Sequence, residues 1–578
     1  MSRQDEPIPR LGDVFRDVDG LYVNCEYRER PDYRFRHDAK PHRHAALAES
    51  ARVAAAPAFS LRHWIVQDLF DSEHVNRMLH LARDYGMTGI QFSGDNIYWV
   101  TDAPQRYNSY VFAGELCERC HDLGLEAYFW THEINGSFHE FVRNGRYGFS
   151  GQLAGGEIDL SAGSGFWGAL YEKYDVFLRR LKGVDGLVLT VNESQVPVFR
   201  DRFIRSDLSP DERVATIART VKNACDTHGK QLVLRTFCYS PEETERIRRG
   251  VERLGPGLTL MIKCVPHDWQ TFYPHDPLIA ALREFPRVVE FDLAHEPMGA
   301  GRFPYPDSDH LTYRFAHAAA QGVMGVAGRI DRFRNHAHGT LNWANVYAFS
   351  QLAHTPAVPA DTLWRDYAAA DFGAGEAAFI TDLGRRLFAV GQQTFFLGKE
   401  WGSAHSNLNT FDTLDHGRHW SRSLWAPEDT EAAATLELLC SPTPEFIARI
   451  ADEKAAALAD VRRLRLETDQ RRATLAAADF EYLMTVLRRS AVICEALTTQ
   501  QVVMLMVRFD ARRPVAERRF TDVIAASLRR LRNMAIADRQ EILDGGNEGC
   551  QYGPELLEHF CRNAERHLLA GPSRNQTS

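Results

Sequence analysis

Residues 186–237 read Gly186-Leu-Val-Leu-Thr-Val191, then DERVATIARTVKNACDTHG over 211–229, then Gln231-Leu-Val-Leu-Arg-Thr-Phe237. Two short apolar runs rich in branched residues flank a helical segment. A strand, a helix and a second strand in that order form a parallel unit, since parallel strands need a long crossover and antiparallel ones only a tight turn. The same alternation continues on both sides. The runs are Arg62–Gln67, Thr88–Ser93, Glu126–Thr131, Gly186–Val191, Gln231–Phe237, Thr259–Lys263, Val288–Leu293 and Val323–Gly328. Eight strands separated by helices are the count of a (β/α)8 TIM barrel, and about 270 residues suit that fold. An open doubly wound α/β sheet is the competing architecture. No strand is followed by a G-x-G-x-x-G turn, so its dinucleotide-binding form has no support.

Residues 1–58 form an N-terminal extension with one strand-like phrase, Gly20-Leu-Tyr-Val-Asn24, and a short Ala-rich helix. Residues 59–375 are the expected catalytic barrel. Over 376–578 the strand pattern stops, and an α-helical C-terminal domain is expected. There Thr443 and Pro444 mark a helix start, and Ile447, Ile450, Ala451, Leu458, Val461 and Leu464 repeat at helical spacing. Two further long helical segments lie at about 472–507 and 515–543.

The chain has 578 residues, with 68 Lys plus Arg against 77 Asp plus Glu and a net charge of −9. At 44% hydrophobic and 25% charged, it has the composition of a packed globular protein. An acidic chain with scattered arginines lacks the basic footprint that nucleic acid demands. No uninterrupted apolar run approaches the ~18 residues of a membrane span. The opening MSRQDEPIPRLGDVFRDVDG carries charges where a secretory leader is apolar, so a cytoplasmic location is expected. The ten cysteines then read as thiols. Cys117-Glu-Arg-Cys120-His121 matches a haem-attachment pattern, but Leu116, Cys117, Cys120 and Leu123 have helical spacing, and two buried thiols on a helix are the simpler reading.

Barrel active sites collect at the carboxyl ends of the strands. Three acids lie there: Glu193 after the fourth strand, Asp268 after the sixth and Glu296 after the seventh. Each has a neighbour able to orient it, namely Asn192, Trp269 and His295. Glycoside cleavage needs one carboxylic acid for the leaving oxygen and a carboxylate opposite to activate water or attack carbon. Arg235 and Lys263, at the ends of the fifth and sixth strands, read either as counter-ions or as binders of an anionic substrate. Trp99, Trp130, Trp269 and Tyr305 offer flat faces for sugar rings, or simply pack. The histidines His132, His267, His295, His336 and His338 give a second reading, a divalent metal held with Asp268 or Glu296. Barrel metallohydrolases usually open with His-x-His after the first strand, where this chain has Gln67-Asp68.

In these loops the chain resembles the α-glucuronidases of glycoside hydrolase family 67. The family phrase V-K-A-D-S-E-G corresponds to Leu-Thr-Val-Asn192-Glu193-Ser. R-A-F-V-Y corresponds to Arg235-Thr-Phe-Cys-Tyr239, and Q-I-K-x-G-P-x-D-F-Q to Met261-Ile-Lys263-Cys-Val-Pro266-His-Asp268-Trp-Gln270. E-x-Q-I-T-Q-E-Y-x-G is answered by Glu290-Phe-Asp-Leu-Ala-His-Glu296-Pro-Met-Gly299. The resemblance runs from about residue 60 to 375 and extends through Asn335–Pro356. It implies Glu193 as general acid, Asp268 with Glu296 as the pair that activates water by inversion, and Arg235 and Lys263 around a uronate carboxylate. Inversion calls for carboxylates about 6.5–9.5 Å apart. The family lysine four residues before the acid is Leu189 here, with Arg329 after the eighth strand as its possible replacement. The expectation is an inverting, exo-acting glycoside hydrolase that removes an α-linked, uronic acid-type sugar from a short oligosaccharide. A neutral or modified sugar, or a metal-dependent barrel hydrolase or isomerase, are the alternatives. No cofactor, metal, nucleic acid or membrane partner is expected, and the resemblance implies a homodimer.

Overall fold

In a computed structural model, the structure describes residues 15–17, 20–22, 40–51, 57–69, 72–93, 110–134, 158–194, 196–299, 302–332, 335–403, 408–409, 421–545 and 554–570. Eight parallel strands close into a barrel: β1 Leu61–Val66, β2 Gly89–Phe92, β3 Glu126–His132, β4 Gly186–Thr190, β5 Gln231–Arg235, β6 Thr259–Lys263, β7 Arg287–Asp292 and β8 Gly325–Arg329. Each pairs with its neighbours in sequence, and β8 closes on β1 with Arg329 opposite Ile65. The fold is a (β/α)8 barrel. Every expected run overlaps its strand, with ends that differ by at most two residues.

Helices α1 Ser72–Asp84, α2 Tyr110–Asp122, α3 Phe166–Arg180, α4 Pro210–Thr227, α5 Pro241–Glu252, α6 Pro277–Ala281, α7 Ser308–Ala320 and α8 Trp343–His354 follow the strands in turn. Local chemistry sets several starts. Ser209 accepts from the Glu212 N–H while Glu212 reaches back to the Ser209 N–H, and Pro210 holds the first helical position of α4. Ser240 and Asp276 cap α5 and α6 by accepting from the N–H groups of Glu243 and Leu278, each with a proline next in the chain. On α2 both Cys117 and Cys120 are buried, whereas His121 lies on the surface against Asp185. The three residues do not form one site.

Side chains alternate along each strand, so one set points into the barrel. Ile65, Tyr128, Trp130, Val188, Val233, Met261, Val288 and Ala327 form that inner layer. Gly186 lies opposite Tyr128, where an added Cβ would come within 2.3 Å of the ring. The other set meets the helices. Leu187, Leu189, Leu232, Leu234, Leu260 and Ile262 belong to that larger core.

After α9 Ala360–Phe372, the strands among the described residues are the two-residue pair Phe396–Leu397 and Glu400–Trp401. The rest is helical, with α10 Ala377–Phe395, α11 Thr430–Cys440, α12 Pro444–Asp469, α13 Ala477–Asp510, α14 Thr521–Ala537 and α15 Pro554–Ala570 as its main elements. Thr443 caps α12 with Pro444 behind it. Its buried face includes Ile447, Ile450, Val461 and Leu464 as the spacing predicts, but Lys454 and Ala457 replace Ala451 and Leu458 on it. The Lys454 ammonium is satisfied by the carbonyls of Gln393 and Phe396 at the end of α10. Among the described residues one helix, α13, is long and apolar enough to cross a bilayer by length and composition, a feature not apparent from uninterrupted apolar runs. Its most apolar window is 72% buried against the protein, as suits the central helix of a bundle.

The segment before β1 is tied to this scaffold by charge. Lys40 lies 3.0 Å from Asp371 of α9 and 2.9 Å from Asp479 of α13, and His42 is 2.8 Å from Asp371. Of the strand-like phrase near residue 20, Gly20–Tyr22 is a strand paired antiparallel with Phe15–Asp17.

Candidate active site

Two residues on from the inner layer the chain reaches the barrel mouth. Val233 leads to Arg235, Met261 to Lys263, Val288 to Glu290 and Ala327 to Arg329, all on the inward side by alternation. Glu193, Asp268 and Glu296 stand on the loops beyond β4, β6 and β7 at that same end.

Arg235 is the hub. Its Nη1 donates to Glu193 at 2.8 Å, and its Nε and Nη2 grip Glu290 at 2.6 and 3.2 Å. Arg329 donates to Glu296 at 2.9 Å and lies 3.8 Å from the far oxygen of Glu290. The order Glu193, Arg235, Glu290, Arg329, Glu296 therefore alternates in charge across the mouth. Beside it Lys263 donates to Asp268 at 2.8 Å. Such charge-assisted bonds are the strong ones, and alternation lets a buried group of ions coexist.

Aromatic faces lie against all three cations. Arg235 sits 4.7 Å from the Trp130 ring and 5.0 Å from Phe237. Lys263 is 3.8 Å from Trp269 and 4.2 Å from Phe237, and Arg329 is 4.9 Å from Trp269. The Trp130 indole N–H is fixed on Gln91 at 3.0 Å.

Exposure separates the acids. The Glu193 side chain is 44% exposed, whereas Glu296 is 5% and Glu290 0% exposed. Glu193 is the carboxylate a ligand reaches first. Its protonation follows its surroundings: burial pushes its carboxyl up, but Arg235, then His132, Lys263 and Arg329, outweigh this and hold it at about 2. In this state Glu193 is a carboxylate rather than an acid. Burial lowers Lys263 below the usual ammonium value, against the pull of Asp268.

Backbone strain collects here as well. Asp268, Trp269 and His295 have φ of 42°, 50° and 56°, a region that residues with a Cβ enter only when their surroundings fix them. Among the described residues Lys399 is the one other non-glycine with positive φ.

Three neighbours take different places from those expected. Asn192 does not hold Glu193; its amide donates to Glu243 of α5 at 2.8 Å. His295 does not hold Glu296, because its Nε2 lies 3.1 Å from Asp307, which keeps the imidazole pKa raised despite burial. Arg235 and Arg329 hold the two acids instead. Leu189 faces the helices, since Val188 and Thr190 take the inward positions of β4. A lysine there would point away from the mouth, so Leu189 marks no lost ligand.

Trp269 and Arg329 are at the mouth, whereas Trp130 lies within β3 in the inner layer, buried against Arg235. Tyr305 is buried below the mouth, with its hydroxyl on Thr271 and its ring against His295. Trp99 lies outside the described residues. The candidate metal histidines are dispersed: His132 is on the Glu193 carbonyl, His267 is between the Cys238 carbonyl and Asp268, and His338 is on His44. They do not gather around Asp268 and Glu296. Glu290 and Gln91 went unselected by the sequence reading. Their signal was a polar residue in the middle of an otherwise apolar buried strand, which must have a partner.

No family model matches the chain, and no curated protein matches its sequence significantly. Its fold does match solved structures. A GH138 enzyme targeting pectin rhamnogalacturonan II aligns with TM-score 0.58 and 11% identity over 89% of this chain and 68% of its own. A GH115 4-O-methyl-α-glucuronidase with specificity for decorated arabinogalactans gives 0.48 and 10% over 87% of this chain and 62% of its own. A mutant of the Thermobaculum terrenum O-GlcNAc hydrolase gives 0.43 and 11% over 89% and 96%. All three are glycoside hydrolases. At these identities the likeness is one of fold.

Proposed function

We propose that the chain is an exo-acting glycoside hydrolase that removes an α-linked uronic acid from a short oligosaccharide with inversion. The observation that carries this reading is the shared guanidinium of Arg235, bound to an exposed carboxylate, Glu193, on one side and a fully buried one, Glu290, on the other. The buried bond anchors Arg235. The exposed bond is the one an incoming carboxylate can replace.

That exchange supplies the missing acid. When the uronate carboxylate takes the Nη1 of Arg235, Glu193 loses its strongest counter-ion and gains a negative neighbour, and it takes up a proton from solvent. Glu193 so protonated donates its proton to the glycosidic oxygen as the bond from that oxygen to the anomeric carbon breaks. Asp268 or Glu296 accepts a proton from a water whose oxygen attacks the same carbon from the opposite face. One water is consumed, and the anomeric configuration inverts.

The test is hydrolysis, by chelator-treated protein, of paired α-glucuronosyl oligosaccharides and their neutral counterparts, with the released anomer followed by NMR. Release of the β-anomer from the uronoside supports the reading. Initial release of the α-anomer removes inversion from it. Turnover of the neutral member alone transfers the same machinery to a neutral sugar.

A further inference from the structure

At the seam where the last strand meets the first, four residues from separate segments converge outside the acid cluster. Asp68 lies just past β1, His74 is in α1, and Asp331 and His336 are opposite each other in an antiparallel pair of two-residue strands after β8. The rings of His74 and His336 are stacked, 3.6 Å between centroids and 15° from parallel. His74 Nε2 is 3.0 Å from Asp331 Oδ2, and His336 Nε2 is 2.8 Å from Asp68 Oδ2. One ligand atom from each of His74, Asp331 and His336 lies within 4.8 Å of the others. The side chains of Asp68 and Asp331 are 1% and 0% exposed.

We propose that His74, Asp331 and His336 bind a divalent first-row transition cation of the zinc class, and that Asp68 orients His336 for it. Two imidazoles and a carboxylate are a donor set such cations select, with water completing the shell. Binding would swing the two rings out of their stack, because both ring planes must converge on the cation. Two stacked imidazolium ions would repel, whereas neutral rings on a shared cation do not. Asp68 accepting from Nε2 leaves the other ring nitrogen of His336 unprotonated, the form that ligates, in the carboxylate–histidine arrangement common around metals. Asp331 is also rigidly set, since its oxygens accept from the backbone N–H groups of Gln67 at 2.6 Å and Asp68 at 3.3 Å. The cation would clamp β1 to β8, two residues beyond Arg329. Its role is to fix the strand end that carries Arg329, not to touch the scissile bond. The sequence reading missed the cluster because His74 is some 260 residues away from its partners, and because His338, the other half of His336-Ala-His338, turns to His44.

The experiment uses the full chain stripped by a chelator and titrated with Co2+ and Zn2+ alone. One equivalent of Co2+ should bind with visible absorption bands, be displaced by Zn2+, and raise the melting temperature. His74→Gln and His336→Gln should each abolish the bands. Asp68→Asn, a milder change, should weaken affinity about 10–100-fold. Absence of stoichiometric binding by the wild-type chain overturns the proposal, as does binding that survives both histidine substitutions. The readouts are absorption and melting, so failure of the glycosidase reading leaves this result unaffected.

Discussion

The Nη1 of Arg235 stands 2.8 Å from Oε2 of Glu193. This contact makes the carboxylate assigned as general acid an anion at rest. Arg235→Gln removes the first opposing charge and leaves His132, Lys263 and Arg329. Glu193 should titrate well above the parent's value of about 2 in that variant. Carboxyl 13C NMR, with Glu193→Gln to assign the signal, measures both. The linkage has a definite sign: a carboxyl whose pKa is depressed by folding adds stability above about 4.5 that is lost as the pH falls toward 2. Arg235→Gln should therefore flatten the stability profile across that acid window. A Glu193 that still titrates near 2 in the variant would remove the basis for the carboxylate exchange.

Glu290 should be required for structure as much as for activity. It holds Arg235 by two bonds and approaches Arg329, with no exposed surface of its own. Removing one partner of a buried ion pair typically costs about 3–5 kcal/mol, because the other charge is stranded. Glu290→Ala should thus shift the denaturant midpoint strongly. Glu290→Gln, which keeps one acceptor, should fold better yet raise KM for a uronoside as Arg235 loses its anchor. Equal midpoints for Glu290→Ala and the parent would contradict this placement.

Lys263 distinguishes an anionic sugar from a neutral one. Lys263→Met keeps a long unbranched side chain while deleting the ammonium that lies over Trp269 and Phe237. On a uronoside kcat/KM should fall about 10–100-fold, the range of a charge-assisted hydrogen bond of about 1.5–3 kcal/mol. On the matched neutral glycoside the fall should be much smaller. Equal losses on both would make Lys263 a counter-ion of Asp268 and nothing more.

The barrel was legible because its signal is local: apolar strands of four to seven residues alternate with helices, and each reveals itself within its own window. The site was legible to the extent that strand ends are. Arg235, Lys263, Glu193, Asp268 and Glu296 all fall where a strand ends or shortly after. What the sequence hides is direction. Leu189 and Arg329 looked like alternatives for one role, but parity along β4 and β8 sends the first into the helix layer and the second into the mouth. Asn192 and His295 adjoin the acids in sequence yet turn to Glu243 and Asp307, partners that only tertiary packing supplies. Glu290 sat inside a strand, where a search restricted to strand ends does not look.

Asp276 gives a pH dependence of opposite sign to that of Glu193. It caps α6 through the Leu278 N–H at 2.8 Å and is buried, and burial pushes its carboxyl up to about 7 from 3.8. Below 3.8 it is neutral in both folded and unfolded chains and costs nothing. Between 3.8 and about 7 the unfolded chain ionises while the folded one does not, so stability falls as pH rises, by up to about 1.4 kcal/mol per unit, and levels off above 7. Asparagine caps a helix as well as aspartate and has no proton to lose. Asp276→Asn should therefore match the parent at pH 4 and exceed it at pH 8, as read from denaturant midpoints at both values. A difference that is the same at the two pH values would assign the effect to packing instead of to the buried proton.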